Sequence, residues 1–405
     1  MAVNLPPLPE LYPVHGVRLG TSRAQIRKKD RRDLVVIQCV SGTQVAAVFT
    51  QNRFCAAPVA VARAHLGQIA PRALLINTGF ANAGTGPEGM NDALRSCAAL
   101  AASLGCALNE VLPFSTGVIG ERLPVERLIA GLPDSLGALS EGGWAEAAHG
   151  IMTTDTLPKG SSRRVRIDGK TVTITGIAKG AGMICPNMAT LLAFVATDAA
   201  VPSAILQQCL ASAANESFNR ISVDGDTSTN DSCVLLATGK SGFEIHNTDG
   251  EDYRAFHDAV RSVLADLAQA IVRDAEGATK FITIDVVQGA TQEDCLEVAY
   301  TIAHSPLVKT AFFASDPNWG RILAAVGRAR IPQLQVDRVS IYLDEVCIVR
   351  NGGRAAEYSE AQGQAVMKKP EIGVRIDLGG GAASARLWTC DLSHDYVTIN
   401  AEYRT

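Results

Sequence analysis

Residues 178–192 read Ala-Lys-Gly-Ala-Gly-Met-Ile-Cys-Pro-Asn-Met-Ala-Thr-Leu-Leu, and the reading of the whole chain turns on them. TVTITGIA (171–178) alternates as a strand and runs into this stretch, and LLAFVATD (191–198) follows as a second strong strand. Gly180 and Gly182 let backbone approach backbone closely, and Pro186 pushes Cys185 towards an extended conformation. A small residue, Ala189, then precedes Thr190 at the start of the apolar strand. An internal self-cleaving peptide needs such an arrangement. The Thr190 hydroxyl attacks the Ala189 carbonyl only if that bond is held in a strained, uncrowded turn. The resulting ester hydrolyses and frees a new α-amine on Thr190. An α-amine has an unperturbed pKa of roughly 7.7–8.0, so it acts as a base near neutral pH. Threonine paired with its own amine is an activated nucleophile, and its β-methyl stiffens the torsion that aims the hydroxyl. An ordinary strand-turn-strand hairpin containing a threonine accounts for the same residues, and chemistry alone leaves both readings open.

Working outward, DLVVIQCV (33–40), QVAAVFT (44–50), PVAVAR (58–63) and RALLINTG (72–79) are short, β-branched and bounded by polar or glycine residues, and are predicted as strands. Helical spacing predicts helices over 91–103, 144–152, 203–216 and 252–275, the last with Phe256, Val260, Val263, Leu264 and Leu267 on its core face. Beyond Lys280 the pattern predicts a strand in FITIDVV (281–287) and helices near 292–303 and 321–328. Further strands are predicted in VSIYL, EVCIVR, EIGVRIDL, SARLWTC and YVTIN (396–400). Strands and helices mix without a strict βαβ rhythm, which argues for stacked sheets flanked by helices and an α+β class. At 405 residues two or three domains are expected, with a boundary near residue 280.

Composition is that of a globular chain, with 47% apolar and 19% charged residues and a net charge of -4. The one basic cluster, Arg27-Lys-Lys-Asp-Arg-Arg32, is interrupted by an acid and reads as a solvated turn, so no nucleic-acid partner is expected. The longest apolar run near the middle, 191–196, is far short of a membrane span. The N-terminus lacks the pattern of an export signal. Ten dispersed cysteines without a C-x-x-C then read as reduced thiols, and a cytoplasmic enzyme is expected.

The string KGAGMICPNMATLL resembles the signature of the ornithine acetyltransferase (glutamate N-acetyltransferase) family. The resemblance continues through NTGFANAGTG, STGVIGE, TTDT, DGDTSTNDS, DAEGATKF, DPNWGRI and the C-terminal NAEYRT. It implies an N-terminal-nucleophile-like αββα sandwich core over 1–280, with a smaller C-terminal α+β domain over 281–405. It also implies cleavage between Ala189 and Thr190 into an α chain (1–189) and a β chain from 190, assembled as an α2β2 heterotetramer. Thr190 would be the nucleophile, and Thr116 with Gly117 would form the oxyanion hole. Thr153, Lys179, Thr190, Glu276, Asn400 and the terminal Thr405 would bind substrate. In that role Lys179 suits a substrate carboxylate, and Glu276 suits the ammonium of ornithine. The implied reaction moves an acetyl group from N2-acetylornithine to glutamate in arginine biosynthesis. No cofactor is implied, although some family members also take acetyl-CoA as a co-substrate.

Ordinary readings stand beside these. Alone, STGVIG is a glycine turn, TTDT a helix N-cap cluster and Lys179 a surface lysine. An aminopeptidase or amidase with an N-terminal threonine nucleophile is the first alternative. An uncleaved dinucleotide-binding protein using Gly84–Gly89 is the second and weaker one. That loop satisfies G-x-G-x-x-G, but it begins several residues after the strand and holds Pro87. Asp224-Gly-Asp-Thr-Ser228 opens like a calcium loop, yet the required glycine would be Thr229 and the final glutamate Leu235. The seven histidines show no zinc spacing, so no metal is expected. Cys185 lies five residues before Thr190 with no histidine near it in sequence, and is read as a small buried residue.

Overall fold

A computed structural model describes residues 2–185 and 191–402. In chain order the first part holds β1 (Val17–Ser22), β2 (Leu34–Cys39), β3 (Gln44–Phe49), α1 (Ala57–Leu66), β4 (Ala73–Phe80), α2 (Gly86–Leu104), β5 (Val111–Val118), α3 (Val125–Gly137) and α4 (Trp144–Gly150). Then come β6 (Lys159–Ile167), β7 (Lys170–Lys179), β8 (Leu192–Thr197), α5 (Ser203–Asn215), β9 (Ile221–Ser222), β10 (Ser232–Ala237) and α6 (Glu251–Arg273). The last part holds β11 (Phe281–Gly289), α7 (Gln292–Ala303), α8 (Pro306–Phe313), α9 (Trp319–Gly327), β12 (Ser340–Leu343), β13 (Val346–Arg350), β14 (Gly353–Arg354), α10 (Glu360–Met367), β15 (Glu371–Asp377), β16 (Ala383–Cys390) and α11 (His394–Ala401).

Two sheets stack face to face. One has the order β1-β2-β4-β5 and the other β3-β10-β8-β7-β6. Alternation in each strand splits its residues between two cores. Ile37, Ile76, Leu112 and Phe114 of the first sheet meet Val45, Phe194, Ala196 and Val234 of the second in the inner core. The outer face of the four-stranded sheet, with Leu34, Val36 and Leu75, is covered by Cys97 and Leu100 of α2 and Leu128 and Leu132 of α3. The outer face of the five-stranded sheet, with Ile174, Val195 and Leu235, is covered by α5 and α6. The five α6 residues predicted to face the core are all buried. Helices outside and sheets inside make an αββα sandwich. Phe114 and Phe194 clasp the sheets edge to face, with ring centroids 5.1 Å apart. Each such fully buried ring contributes about 1.5–3 kcal/mol. The clasp sits two residues before Thr116 on β5 and near the start of β8, so these strand ends are held at the same end of the sandwich.

A third sheet of seven strands, β14-β13-β12-β15-β11-β16-β9, packs on α7 and α9 around Ile284, Val298, Val326 and Leu387. Its edge strand β9 comes from before residue 280 and pairs with β16 through Trp388↔Ile221, so the two parts of the chain share one sheet.

Two predicted strands are helices. PVAVAR lies in α1, where Pro58 sits in the first turn and Val59, Ala62 and His65 are buried at helical spacing. Proline fits a helix start because the missing N–H has no intrahelical partner there. The alternation of Val59 and Val61 imitated a strand. YVTIN lies in α11, where tertiary contacts override its β-branched composition. Asn400 reaches Glu276, and Ile399 lines a cavity. The helix predicted over 91–103 starts earlier, at Gly86, again with a proline in its first turn.

Candidate active site

Where the two sheets open, a cavity of about 230 Å³ is lined by Thr116, Gly117, Thr153, Lys179, Glu276 and Asn400, with Ser228–Asn230 along one side. The elements that bring these residues together explain their positions. Thr116 and Gly117 end β5, which pairs in parallel with β4 until a register shift at Gly79 and Phe80. Gly117 has φ +134°, and a Cβ there would stand 2.2 Å from the Gly79 carbonyl carbon and 2.6 Å from the Phe80 nitrogen. Glycine is therefore required on both conformational and steric grounds. Gly117→Ala is expected to cost about 1–3 kcal/mol or more, measured as a lowered midpoint of thermal unfolding.

Lys179 ends β7, and its Nζ donates to Thr116 Oγ1 at 3.1 Å. The Lys179 ammonium is desolvated, which lowers its pKa below the ordinary lysine range against the pull of Asp155, Asp231 and Glu276. Glu276 is buried in the loop after α6, where its backbone N–H donates to the Ala181 carbonyl at 2.9 Å. Its carboxylate lies over Gly182, where a Cβ would meet Oε2 at 2.4 Å. Asn400 Nδ2 donates to Glu276 Oε2 at 2.8 Å and ties α11 to that wall. The Thr153 carbonyl accepts from Arg31 Nη1 at 2.7 Å.

Beneath these walls lies a buried charge cluster. Lys159 Nζ, wholly inaccessible, donates to Asp155 Oδ1 at 2.6 Å and to Asp274 Oδ2 at 2.7 Å. Asp155 also accepts from the backbone N–H groups of Thr153 (2.9 Å) and Gly180 (2.8 Å). Asp274 accepts from the Thr156 backbone N–H at 2.9 Å and from the Thr156 hydroxyl. Burial raises the Asp155 pKa, but the ammonium groups of Lys159 and Lys179 outweigh it and hold the carboxyl well below the usual range. One carboxylate thus joins the backbones next to Thr153 and Lys179, and the lysine carries the linkage to the Glu276 loop.

Of the residues singled out in the sequence, Thr116, Gly117, Thr153, Lys179, Glu276 and Asn400 converge on this cavity. Ala189, Thr190 and Thr405 lie outside the described residues. Leu191, the next residue, accepts from Ser232 N–H at 2.8 Å, which fixes the start of β8 beside β10. Sequence reasoning passed over Asp155, Lys159, Asp274 and Asn230. Asp155 and Asp274 stand inside the quoted strings TTDT and DAEGATKF, but only the fold shows them sharing a lysine. Asn230 Nδ2 donates to the Ala81 and Ser115 carbonyls at 2.6 and 2.9 Å, bracing the strand that carries Thr116.

Cys185 is half-buried, and the fold gives it a histidine that sequence proximity did not show. Its Sγ lies 3.4 Å from His304 Nε2, which also meets Ser222 Oγ at 2.9 Å. Burial pushes this thiol up to about 11, so the thiolate is scarce and Cys185 is a poor nucleophile. Among the described residues no group of three or more His, Cys, Asp or Glu is placed to hold a metal ion. No helix among them is long and apolar enough to cross a membrane.

Two stacked sheets between helical layers, with a polar cavity where the sheets part, define the class as an αββα sandwich. Comparison with known proteins narrows this. A model of the ArgJ family matches residues 18–405, and the chain belongs to that family. It is 57% identical over 406 residues to the arginine biosynthesis bifunctional protein ArgJ of Pseudomonas fluorescens, with 100% of both chains covered. It is 60% identical over 395 residues to the protein of the same name from Methylococcus capsulatus, covering 98% of this chain and 97% of that one. Among solved structures, ArgJ of Bacillus halodurans is 36% identical with a TM-score of 0.48, covering 50% of this chain and 95% of that chain. The ornithine acetyltransferase of Mycobacterium tuberculosis, solved with ornithine, is 37% identical with a TM-score of 0.41, covering 44% and 94%.

Proposed function

We propose that this chain cuts itself between Ala189 and Thr190 and then moves an acetyl group from N2-acetylornithine to glutamate. The observation that carries the reading is the convergence of Thr116, Gly117, Thr153, Lys179, Glu276 and Asn400, from five separate stretches of sequence, on one cavity. In the reading, the Thr190 hydroxyl attacks the acetyl carbonyl. Thr116, through its hydroxyl, and Gly117, through its backbone N–H, receive the oxyanion, and the new α-amine of Thr190 carries the proton. Ornithine leaves and glutamate enters, and its amine takes the acetyl group from the threonine ester. Lys179 and Glu276 supply opposite charges that suit the carboxylate and ammonium groups of amino-acid substrates, with Thr153, Asn400 and Thr405 completing the binding set.

Exchanging one amide for another of like kind is close to isoergic, so the reaction needs no cofactor. The reading includes residues 1–280 as the catalytic core and 281–405 as a smaller α+β domain. It also includes a cytoplasmic α2β2 assembly of the protein's own cleaved chains, without nucleic-acid or membrane partners. Incubation with N2-acetylornithine and glutamate is expected to yield N-acetylglutamate and ornithine. Release of free acetate in place of N-acetylglutamate would overturn the transferase reading in favour of an amidase. Replacing N2-acetylornithine by acetyl-CoA in the same assay tests the thioester as an alternative donor.

A further inference from the structure

We infer that Lys179 is a positioning residue for Thr116, fixing its hydroxyl so that the proton points at the developing oxyanion. This rests on the reading of Thr116 as an oxyanion donor. Lys179 Nζ donates to Thr116 Oγ1 at 3.1 Å, and among the described residues no other side chain hydrogen-bonds that oxygen. An ammonium group only donates. It therefore occupies a lone pair of Oγ1 and leaves the hydroxyl proton to be given elsewhere. A cation on the acceptor side of a hydroxyl also polarises the O–H bond and makes it a stronger donor.

The surroundings keep the lysine in place. The backbone N–H of Gly180, the next residue, is held by Asp155 Oδ1 at 2.8 Å, which anchors the end of β7. The charged groups that face Lys179 are Asp155 from the turn after α4, Asp231 from the approach to β10, Glu276 from the loop after α6, and Lys159 of β6 as the like charge. Asp231 is buried, and among the described residues its Oδ2 has no hydrogen-bond partner. Three carboxyl groups and one competing cation surround the ammonium, and Asp155 is the carboxyl that pulls most strongly towards keeping its charge.

If Lys179 served only to pair with a substrate carboxylate, its removal would raise KM and act independently of Thr116. Positioning predicts a different pattern. Four proteins decide it: wild type, Lys179→Met, Thr116→Val and the double variant, with kcat and KM measured for acetyl transfer. Thr116→Val is expected to lower kcat by about 10²–10³. Lys179→Met is expected to lower kcat by about 10², beside the rise in KM that loss of its carboxylate pairing brings, and to change kcat less than about threefold once Thr116 is valine. In each variant kcat is referred to the fraction of chain that is cut, read on a denaturing gel. Lys179→Arg is expected to restore most of kcat and to move the alkaline loss of kcat upward, because guanidinium stays charged. Losses that multiply in the double variant, or a loss confined to KM, would overturn the inference. A Thr116→Val protein with unchanged kcat would instead overturn the oxyanion role on which it rests.

Discussion

Thr190→Ala is expected to yield a single uncut chain of 405 residues with acetyl transfer reduced on the order of 10⁶-fold, the scale seen when a covalent nucleophile is deleted. On the proposed reading, the size of the effect follows from the double use of one residue. Alanine has no hydroxyl to attack the Ala189 carbonyl, so the peptide is not shifted to an ester and no α-amine is freed. The attacking oxygen and the proton acceptor are therefore lost together, and an external amine cannot replace both. Thr190→Ser separates the two requirements. Its hydroxyl still cuts the chain, but without the β-methyl the side-chain torsion is looser and kcat is lower. A denaturing gel and the transfer assay read both variants.

Lys159→Met is expected to destabilise the fold by about 3–5 kcal/mol. Methionine preserves much of the volume, but it leaves two buried carboxylates, 0% and 1% exposed, without their shared ion-pair partner, Asp155 keeping only the pull of Lys179. The backbones of Thr153, Thr156 and Gly180 hang on those carboxylates, so the pocket walls loosen with the fold. The measurement is the denaturant midpoint, together with KM for the amino-acid substrates, which is expected to rise. Adding Asp155→Asn and Asp274→Asn to Lys159→Met removes the uncompensated charge and is expected to recover part of the stability, since a neutral cluster is cheaper to bury than a broken one. The intact cluster has an acid dependence of its own. The Asp155 carboxyl is depressed in the folded protein, so its contribution is full above the ordinary carboxylate range and is lost as pH falls through the folded value.

Much of the sandwich was legible because its signals are local. TVTITGIA and LLAFVATD alternate or run apolar where one or both faces are buried, and α6 carries its core face at helical spacing. The errors came where a short segment satisfies two periods. PVAVAR alternates as a strand, yet its proline and its burial at 59, 62 and 65 belong to a helix. YVTIN has strand composition yet lies in α11, a helix with no buried residue, from which Ile399 lines one cavity and Asn400 reaches Glu276. At the site, Thr116, Gly117, Thr153, Lys179, Glu276 and Asn400 were named through the family resemblance of their strings, and the structure brings those six to one cavity. Asp155, Lys159, Asp274 and Asn230 were passed over because their role exists only once distant segments meet. A lysine between two carboxylates has no sequence signature when the carboxylates stand at 155 and 274. The thiol of Cys185 shows the same limit, since its histidine lies at 304.

If scission of the main chain creates the catalyst, intact-mass analysis with N-terminal sequencing of purified, active protein reads it out. Two polypeptides are predicted, residues 1–189 and 190–405, the second of 405 − 189 = 216 residues beginning with threonine. A fully active preparation consisting of one continuous 405-residue chain would rule out Thr190 acting through a freed α-amine.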